Sequence, residues 1–429
     1  MGDSTQPTKG RRKLKPRGRI GAAALAALAI LLVGCDMEVT NPGPVQDTFL
    51  NDPGAWNAVY HGVLFNNAFA YTRLAEDGAM LAGEMLAGGL QQGPFLLGQL
   101  TSDNRDAAWT NMHRARWVAE DAVRRLEAEL GTAFEAHALA RQLKLQVGIA
   151  HRMLGEHVCH AVIDGSPAQP FGVHFQQAEA AFSDALRMAR ATGDRPAELS
   201  ALAGRATVRI WMGNWEGAVA DAQLVPDDHR FLIRYFDQER QGADSNAIWF
   251  SQAGLPWTRL TVHGTFAADY YPETGDPRVA WETDPRFPIT MVYSHPFLRA
   301  LKFNDWTSPH SFATGREMRL LEAEHKLRQG DWQGALAQIN QLRSTVISEL
   351  TGEPVPAWTA SSVEETWSVL RKERFIELWL DARRWPDWRR WTLENAPGQE
   401  LFNMAGRSSC YPIGRTEIQT NSNPLPEVN

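Results

Sequence analysis

Residues 371–391 read RKERFIELWLDARRWPDWRRW. Four tryptophans and six arginines share this stretch with one lysine, two glutamates and two aspartates. Three arrangements could use them: a nucleic-acid clamp, a helix on a membrane surface, or a buried brace. In a brace, arginine stacks on tryptophan and pairs with carboxylate at once. Glu373 and Glu377 lie four apart, and Arg374, Leu378 and Asp381 fall on a nearby face of a helix. The pattern predicts one helix over 363–385, stopped by Pro386, which cannot continue it.

Charge separates the three arrangements. Seven basic residues and one acid precede residue 20, and Ile20–Val33 is an uncharged, mostly apolar run of fourteen. That run is short of the roughly 20 residues of a membrane span and has the length of a signal-peptide core behind a basic segment. It ends Leu32-Val33-Gly34-Cys35, which resembles the lipobox of bacterial lipoproteins. The resemblance implies cleavage before Cys35 and lipidation of its thiol. The chain would then keep 36 basic against 49 acidic residues. So acidic a protein is a poor general binder of nucleic acid, whose phosphates demand neutralisation. Three cysteines less a lipidated Cys35 leave Cys159 and Cys410. In an exported chain these two either join or stay free.

The chain of 429 residues, 44% hydrophobic and 22% charged, can bury a sizeable core. Asp52 caps and Pro53 opens a helix carrying Trp56, Val59, Tyr60, Val63 and Leu64. Helical periodicity predicts further helices over 109–130, 134–162, 173–191, 196–212, 215–224, 315–329 and 332–344. Residues 225–312 lose that period, are rich in Pro, Gly and Asp, and predict loops with short strands. Gly213–Ala220, GNWEGAVA, and Gly330–Ala337, GDWQGALA, agree at five of eight positions. Each reads as a helix-ending glycine, a capping Asn214 or Asp331, and small residues that let two helices approach. This looks like the turn of a tetratricopeptide hairpin, but the copies are too far apart for neighbours in a regular array. The fold class is mostly α: a degenerate tetratricopeptide-like helical-repeat scaffold with a loop-rich, partly irregular insertion.

No phosphate-cradling loop, H-E-x-x-H or G-x-S-x-G occurs. His157 and His160, three apart on an expected helix, could share a face, but no second ligand pair accompanies them. No cofactor or metal is implied. The most suggestive feature is thirteen aromatic rings between residues 244 and 312. Rings on loops can stack on sugar faces, and they can also glue loops to helices.

The opening stretch resembles the C-terminal signature of the SusD/RagB family through Glu373-Arg374, Glu377-Leu378, Asp381, Arg384-Trp385, Asp387 and Arg389-Arg390. Ala382 stands where glycine is usual, Arg383 where histidine is common, and Pro386 is extra. EVTNPGPVQDTFLNDPGAWNAVYHGV, EMRLLEAEHKLRQGDWQGALAQINQLR with Asn340 and Arg343, and CYPIGRTEIQTNSNP with Pro412, Ile413, Glu417, Asn421 and Asn423-Pro424 resemble other segments of the family in the expected order. The resemblance implies a signal peptide over 1–34, a lipidated tether over 35–48 and one SusD-like helical domain over 49–429, with ligand bound in about 225–312. It implies a protein that is not an enzyme. Anchored by lipid to the outer membrane and facing the cell surface, it would hold a glycan or other nutrient and deliver it to a TonB-dependent transporter. Asp36, just after the cysteine, resembles an inner-membrane retention signal and leaves the leaflet open. The alternative is a helical-repeat scaffold lipoprotein that binds another envelope protein and no small ligand. A glycan-cleaving enzyme would need a positioned acid pair that no motif marks.

Within 225–312 the rings beside polar or turn-forming neighbours are the expected ligand contacts: Trp257, Tyr270, Tyr271, Trp281 and Trp306. A helical face near Glu76, Asp77 and Glu84 is the fallback. Glu373, Arg374, Glu377, Arg384, Trp385 and Asp387 are expected to be structural.

Overall fold

The structure, a computed structural model, describes residues 47–90, 93–236, 245–253 and 257–427. The expected signal peptide, Cys35, Asp36 and nearly all of the expected tether lie outside the described residues. Met1–Phe49 and Leu50–Asn429 are separate units, and the helical frame belongs to the second.

Eleven helices among the described residues build that frame: α1 Trp56–Leu81, α2 Asp106–Leu130, α3 Ala138–His157, α4 Gly172–Thr192, α5 Arg195–Trp211, α6 Trp215–Ala222, α7 Phe266–Thr274, α8 Gly315–Arg328, α9 Trp332–Arg343, α10 Val363–Glu377 and α11 Arg384–Leu393. Local chemistry sets their ends. Asp52 caps a short 3-10 turn, Pro53–Ala55, that runs into α1. Asp194, Asn214, Thr314, Asp331 and Ser362 each accept a backbone N–H of the first turn of the helix they open.

The helices pack as successive antiparallel hairpins, α1/α2, α3/α4, α5/α6 and α8/α9, with α10 closing the series against α8 and α9. In each junction the second helix of one hairpin lies on the first helix of the next, and α6 lies on α8. The two GxWxGAxA turns, distant in sequence, therefore belong to hairpins that are consecutive in space. The insertion between them leaves the array unbroken. Trp215 of one hairpin lies 4.2 Å under the Arg328 guanidinium of the next. The glycines of these turns do not serve helix approach, contrary to the sequence reading. A Cβ at Gly217 would meet the Asn214 amide at 2.7 Å, and one at Gly334 the Asp331 carboxylate at 2.1 Å. They make room for the capping side chains, while the buried Ala218 and Ala335 do the packing.

The insertion leaves and returns through one antiparallel ribbon. Strand β4, Arg230–Ile233, pairs with β8, His310–Thr314, in the register Arg230↔Thr314 and Ile233↔His310 with an irregularity after Phe231. Between them lie β5 Leu260–Thr261, β6 Trp281–Thr283, β7 Leu298–Ala300 and α7, a helix the sequence reading missed. Before the array's first junction β1, Leu86–Ala87, pairs with β5; β2, His160–Ala161, pairs with β3, Gln169–Pro170. The helix predicted over 134–162 is a 3-10 turn followed by α3, which ends at His157. His160 therefore sits on a strand and shares no helical face with His157, whose Nδ1 bonds Met153 O at 2.8 Å.

Residues 371–391 are buried apart from Lys372 and Glu377, which are half-buried. The predicted single helix is two. The first ends at Glu377, and Leu380 and Ala382 take φ of +61° and +58°, where a side chain crowds the backbone. Glycine, which the SusD/RagB signature that this stretch resembles has in place of Ala382, carries no such penalty. Pro386 lies in the first turn of α11, where its missing N–H costs no helical bond.

The ions of this stretch reach other elements. Arg383 grips Glu156 of α3 with two 2.8 Å bonds and also reaches Glu317 of α8. Arg390 holds Glu324 of α8 at 2.7 and 2.8 Å, and Trp391 Nε1 donates to the same carboxylate. Arg374 and Asp387 join α10 to α11 through paired bonds of 2.8 and 2.9 Å. Arg389 donates to the carbonyls of Glu156 and Val158, satisfying the end of α3. Glu373 receives Arg343, Arg278 and the Trp358 indole; Glu377 receives Arg278 and Arg316; Asp381 receives Lys302. Arg384 meets Glu400, and Trp385, 1% exposed, donates to Ser408 O.

The tail closes on the same frame. Cys159 and Cys410 form a disulfide beside a parallel bridge between Val158 and Tyr411. The Tyr411 hydroxyl donates to Asp77, and Asn421 and Asn423 bind the carbonyls of Ser166 and Gly165. Asn340 exchanges two bonds with the Trp358 backbone, which gives it a structural task.

Breaking one half of a buried pair leaves the other charge stranded, at about 3–5 kcal/mol. Arg374→Met should lose stability on that scale in denaturant unfolding, and Arg374→Met with Asp387→Ala should be less destabilised than Arg374→Met alone. A pH dependence follows from Glu84. It is fully buried, and burial pushes its carboxyl up to about 7 despite the Leu380 N–H and the nearby Lys302 and Arg384. The folded state therefore holds a proton that the unfolded chain releases near its ordinary value. This contribution is complete below about pH 4.5 and fades as pH rises through 7. Glu84→Gln should gain melting temperature relative to the parent on going from pH 5 to pH 8, and a difference that does not change with pH would contradict this.

Candidate functional site

The insertion gathers four rings at one place. Asn246 organises them: its backbone N–H donates to Trp306 O, its Nδ2 to Ser308 O, and its Oδ1 accepts from Trp249 N. This caps the short helical turn Ala247–Phe250 and sets Trp249 against Trp306, ring centroids 4.5 Å apart. Phe250 lies 5.3 Å from Trp306 and 5.0 Å from Trp257. The Arg259 guanidinium sits 4.5 Å over Trp257 and 4.9 Å over Phe250. All four rings are half-buried, so each keeps part of its surface open to solvent.

The cluster stands on α1. Thr72 accepts from Ala247 N and donates to Ser245 O, both buried. Ser251 donates to Glu76 at 2.7 Å, and Arg73 pairs with Glu76 at 3.1 Å while passing over Phe69. On the other side the Trp306 turn is tied by Asp305 and Ser308: Asp305 accepts from Thr307, which holds its carboxyl below the usual range, and Ser308 bonds Asn304. Burial lowers the Arg259 pKa, partly offset by Glu76. Arginine's ordinary value is so high that the group stays charged at neutral pH.

Of the five rings expected as contacts, Trp257 and Trp306 meet here. Tyr270 does not: it is 5% exposed, bonded to Asp276 and Arg343, and holds α7 to α9. A flanking acid and proline on α7 do not make that face of the helix exposed. Tyr271 and Trp281 form a separate half-buried pair, with Tyr271 bonded to Glu349 and Trp281 to Ala267 O. Trp249 and Phe250 were visible in the sequence as members of the aromatic-rich stretch. Only Asn246, a strong cap residue before them, could have marked them as held in a turn. The fallback face offers no open carboxylates: Glu76, Asp77 and Glu84 are all buried, and Asp77 is bound by Arg105 and Tyr411.

His151 and His174, both buried, and the half-buried Glu120 form a chain, with 3.0 Å between the two histidines and 2.8 Å to the glutamate. Among the described residues no group of three or more His, Cys, Asp and Glu is placed to hold a metal ion.

Residues 241–424 match the sequence profile of the SusD family. No curated protein matches the chain in sequence. Solved structures match it in fold. A SusD/RagB family protein from Bacteroides thetaiotaomicron superposes with a TM-score of 0.64 at 10% identity, over 86% of this chain and 97% of its own. A SusD-like carbohydrate binding protein from Bacteroides vulgatus gives 0.60 at 15% identity, over 88% and 98%. Surface glycan-binding protein A from Bacteroides uniformis gives 0.62 at 12% identity, over 85% and 98%. Residues 241–424 thus carry the SusD family's sequence pattern, and the chain shares the fold of these SusD/RagB-family structures over most of its length.

Proposed function

We propose that the protein is a lipid-anchored, outward-facing lipoprotein of the outer membrane that captures an oligosaccharide on the Trp249, Phe250, Trp257 and Trp306 cluster. It passes the ligand to a TonB-dependent transporter. The observation that carries this reading is the cluster itself: four partly open rings and a cationic guanidinium, with Trp249, Phe250 and Trp306 on turns fixed by hydrogen bonds around the buried Asn246. Aromatic faces suit the C–H faces of sugars, and Arg259 and the turn backbone offer donors to hydroxyls. A site already rigid loses little conformational entropy on binding. Two of the solved structures that share the fold are a carbohydrate binding protein and a glycan-binding protein, which supports the ligand class.

The carboxylates beside the rings, Glu76 and Asp305, are committed to Ser251, Arg73, Thr307 and Ser308. The arrangement fits holding a glycan, not cleaving it. Among the described residues no helix is long and apolar enough to cross a membrane. Attachment in this reading rests on acyl chains at Cys35. The scaffold alternative draws on Ile289, Met291 and Val292, which are 50%, 45% and 41% exposed on one loop of the insertion.

Calorimetry against an oligosaccharide panel tests the cluster. Trp306→Ala and Trp257→Ala should each weaken a bound oligosaccharide by more than about 1 kcal/mol, roughly fivefold or more. Trp281→Ala should not. Equal binding by all three variants would remove the site from this cluster, and failure of every glycan to bind the parent would favour the scaffold. Anchoring has its own test. Cys35→Ser should move the protein from the membrane to the soluble fraction, and protease shaving of intact cells should reach the parent protein.

A further inference from the structure

The helical array carries a second concave site that shares no lining residue with the ring cluster. A cavity of about 290 Å³ opens between α1, α3, α5 and β4. Its floor is polar although it lies in the core: Asn67 and Gln146 are 1% and 7% exposed and both line it. Asn67 Nδ2 donates to Gln146 O at 3.1 Å and to its Oε1 at 2.9 Å. That leaves Asn67 Oδ1 buried with no donor among the described residues. A buried acceptor that lines a cavity and has no protein donor can be satisfied by a ligand or water there.

The rim has the opposite character. Arg230 and Arg234 line the cavity from β4 and the residue following it, both exposed. Arg230 donates to Ser311 Oγ at 3.1 Å, and neither arginine has a carboxylate partner among the described residues. Among the described residues no Asp or Glu lines the cavity, in a chain whose net charge is −7. On the neighbouring helices Arg141, Arg205 and Arg209 are all paired with acids, so Arg230 and Arg234 stand out as a cationic edge over an acceptor-bearing floor. Tyr60 and Phe236 add ring faces to the wall. The volume suits a single sugar-sized unit, at the low end of small-molecule pockets.

We infer that this cavity binds a small, hydroxyl-bearing anion of the uronic-acid class. The carboxylate meets Arg230 and Arg234, the ring lies against Tyr60 and Phe236, and a hydroxyl donates to Asn67 Oδ1. Charge-assisted bonds to guanidinium supply the preference for an anion, and the amide floor supplies the preference for hydroxyls.

Calorimetric titration of the mature protein with sodium glucuronate, D-glucose and inorganic sulfate tests this. Glucuronate should saturate, with glucose and sulfate each about tenfold weaker or more. Arg230→Ala with Arg234→Ala removes exposed side chains only, and should weaken glucuronate roughly tenfold or more while circular dichroism stays that of the parent. Trp306→Ala should leave glucuronate binding unchanged, which separates this site from the oligosaccharide reading of the ring cluster. The inference is overturned if glucuronate does not saturate, if the double variant binds it like the parent, if glucose binds equally well, or if sulfate alone binds as tightly.

Discussion

The contact between Arg383 and Glu156 is the constraint on which the architecture turns. Both groups are buried, and each would be costly there alone. Burial alone would raise the Glu156 carboxyl, but Arg152 and Arg383 outweigh it and hold it at about 2. The pair fixes α11 against α3, and the same guanidinium reaches Glu317 at the start of α8. Three elements remote in sequence are thereby set at one point. Hydrophobic packing would tolerate several relative positions of these helices. Paired bonds of defined direction tolerate one. Such pairs add little net stability over an apolar core of equal volume, so their benefit here is the unique placement of elements.

That placement is what the insertion needs. Arg278 and Lys302 belong to the insertion and bind Glu373, Glu377 and Asp381 of the 371–391 stretch. The β4–β8 ribbon holds its two ends together, and Gly315 lets it lie against the array, since a Cβ there would meet Pro226 O at 1.8 Å. Loops fastened at base and flank can carry rings at their tips without losing their shape. The Trp249 and Trp306 cluster is held in this way, through Asn246 and Thr72. The frame thus separates two tasks. Buried ion pairs decide where the insertion sits, and a small set of caps and turns decides which rings face outward.

The separation explains what was legible beforehand. Hairpin ends were legible because caps act over three residues: Asn214 and Asp331 name their helices without reference to anything distant. The burial of 371–391 was legible because alternating rings, cations and acids can satisfy one another in a core and have little reason to do so in water. The split of that stretch into α10 and α11 was not. The residues on both sides favour helix, and the break at 378–383 is enforced by Glu84, Lys302 and the α3 terminus, which lie far away in sequence.

The ring cluster shows the same limit from the other side. Composition marked 244–312 as rich in aromatics, but Tyr270 and Trp306 have similar neighbours in sequence and opposite fates. Tyr270 turns inward because α7 places it over Arg343 and Asp276; Trp306 turns outward because Asn246 and Ser308 hold its turn. The sequence by itself determined the helical-repeat class, the charge balance and the burial of the arginine-tryptophan stretch, since each depends on spacing within a few residues or on composition. Tertiary structure alone decided that the two repeat turns are spatial neighbours, that the insertion closes through one ribbon, and which rings stay open. Those outcomes depend on long-range pairs, whose energy is fixed by the partner's position and is not carried by either residue's local context.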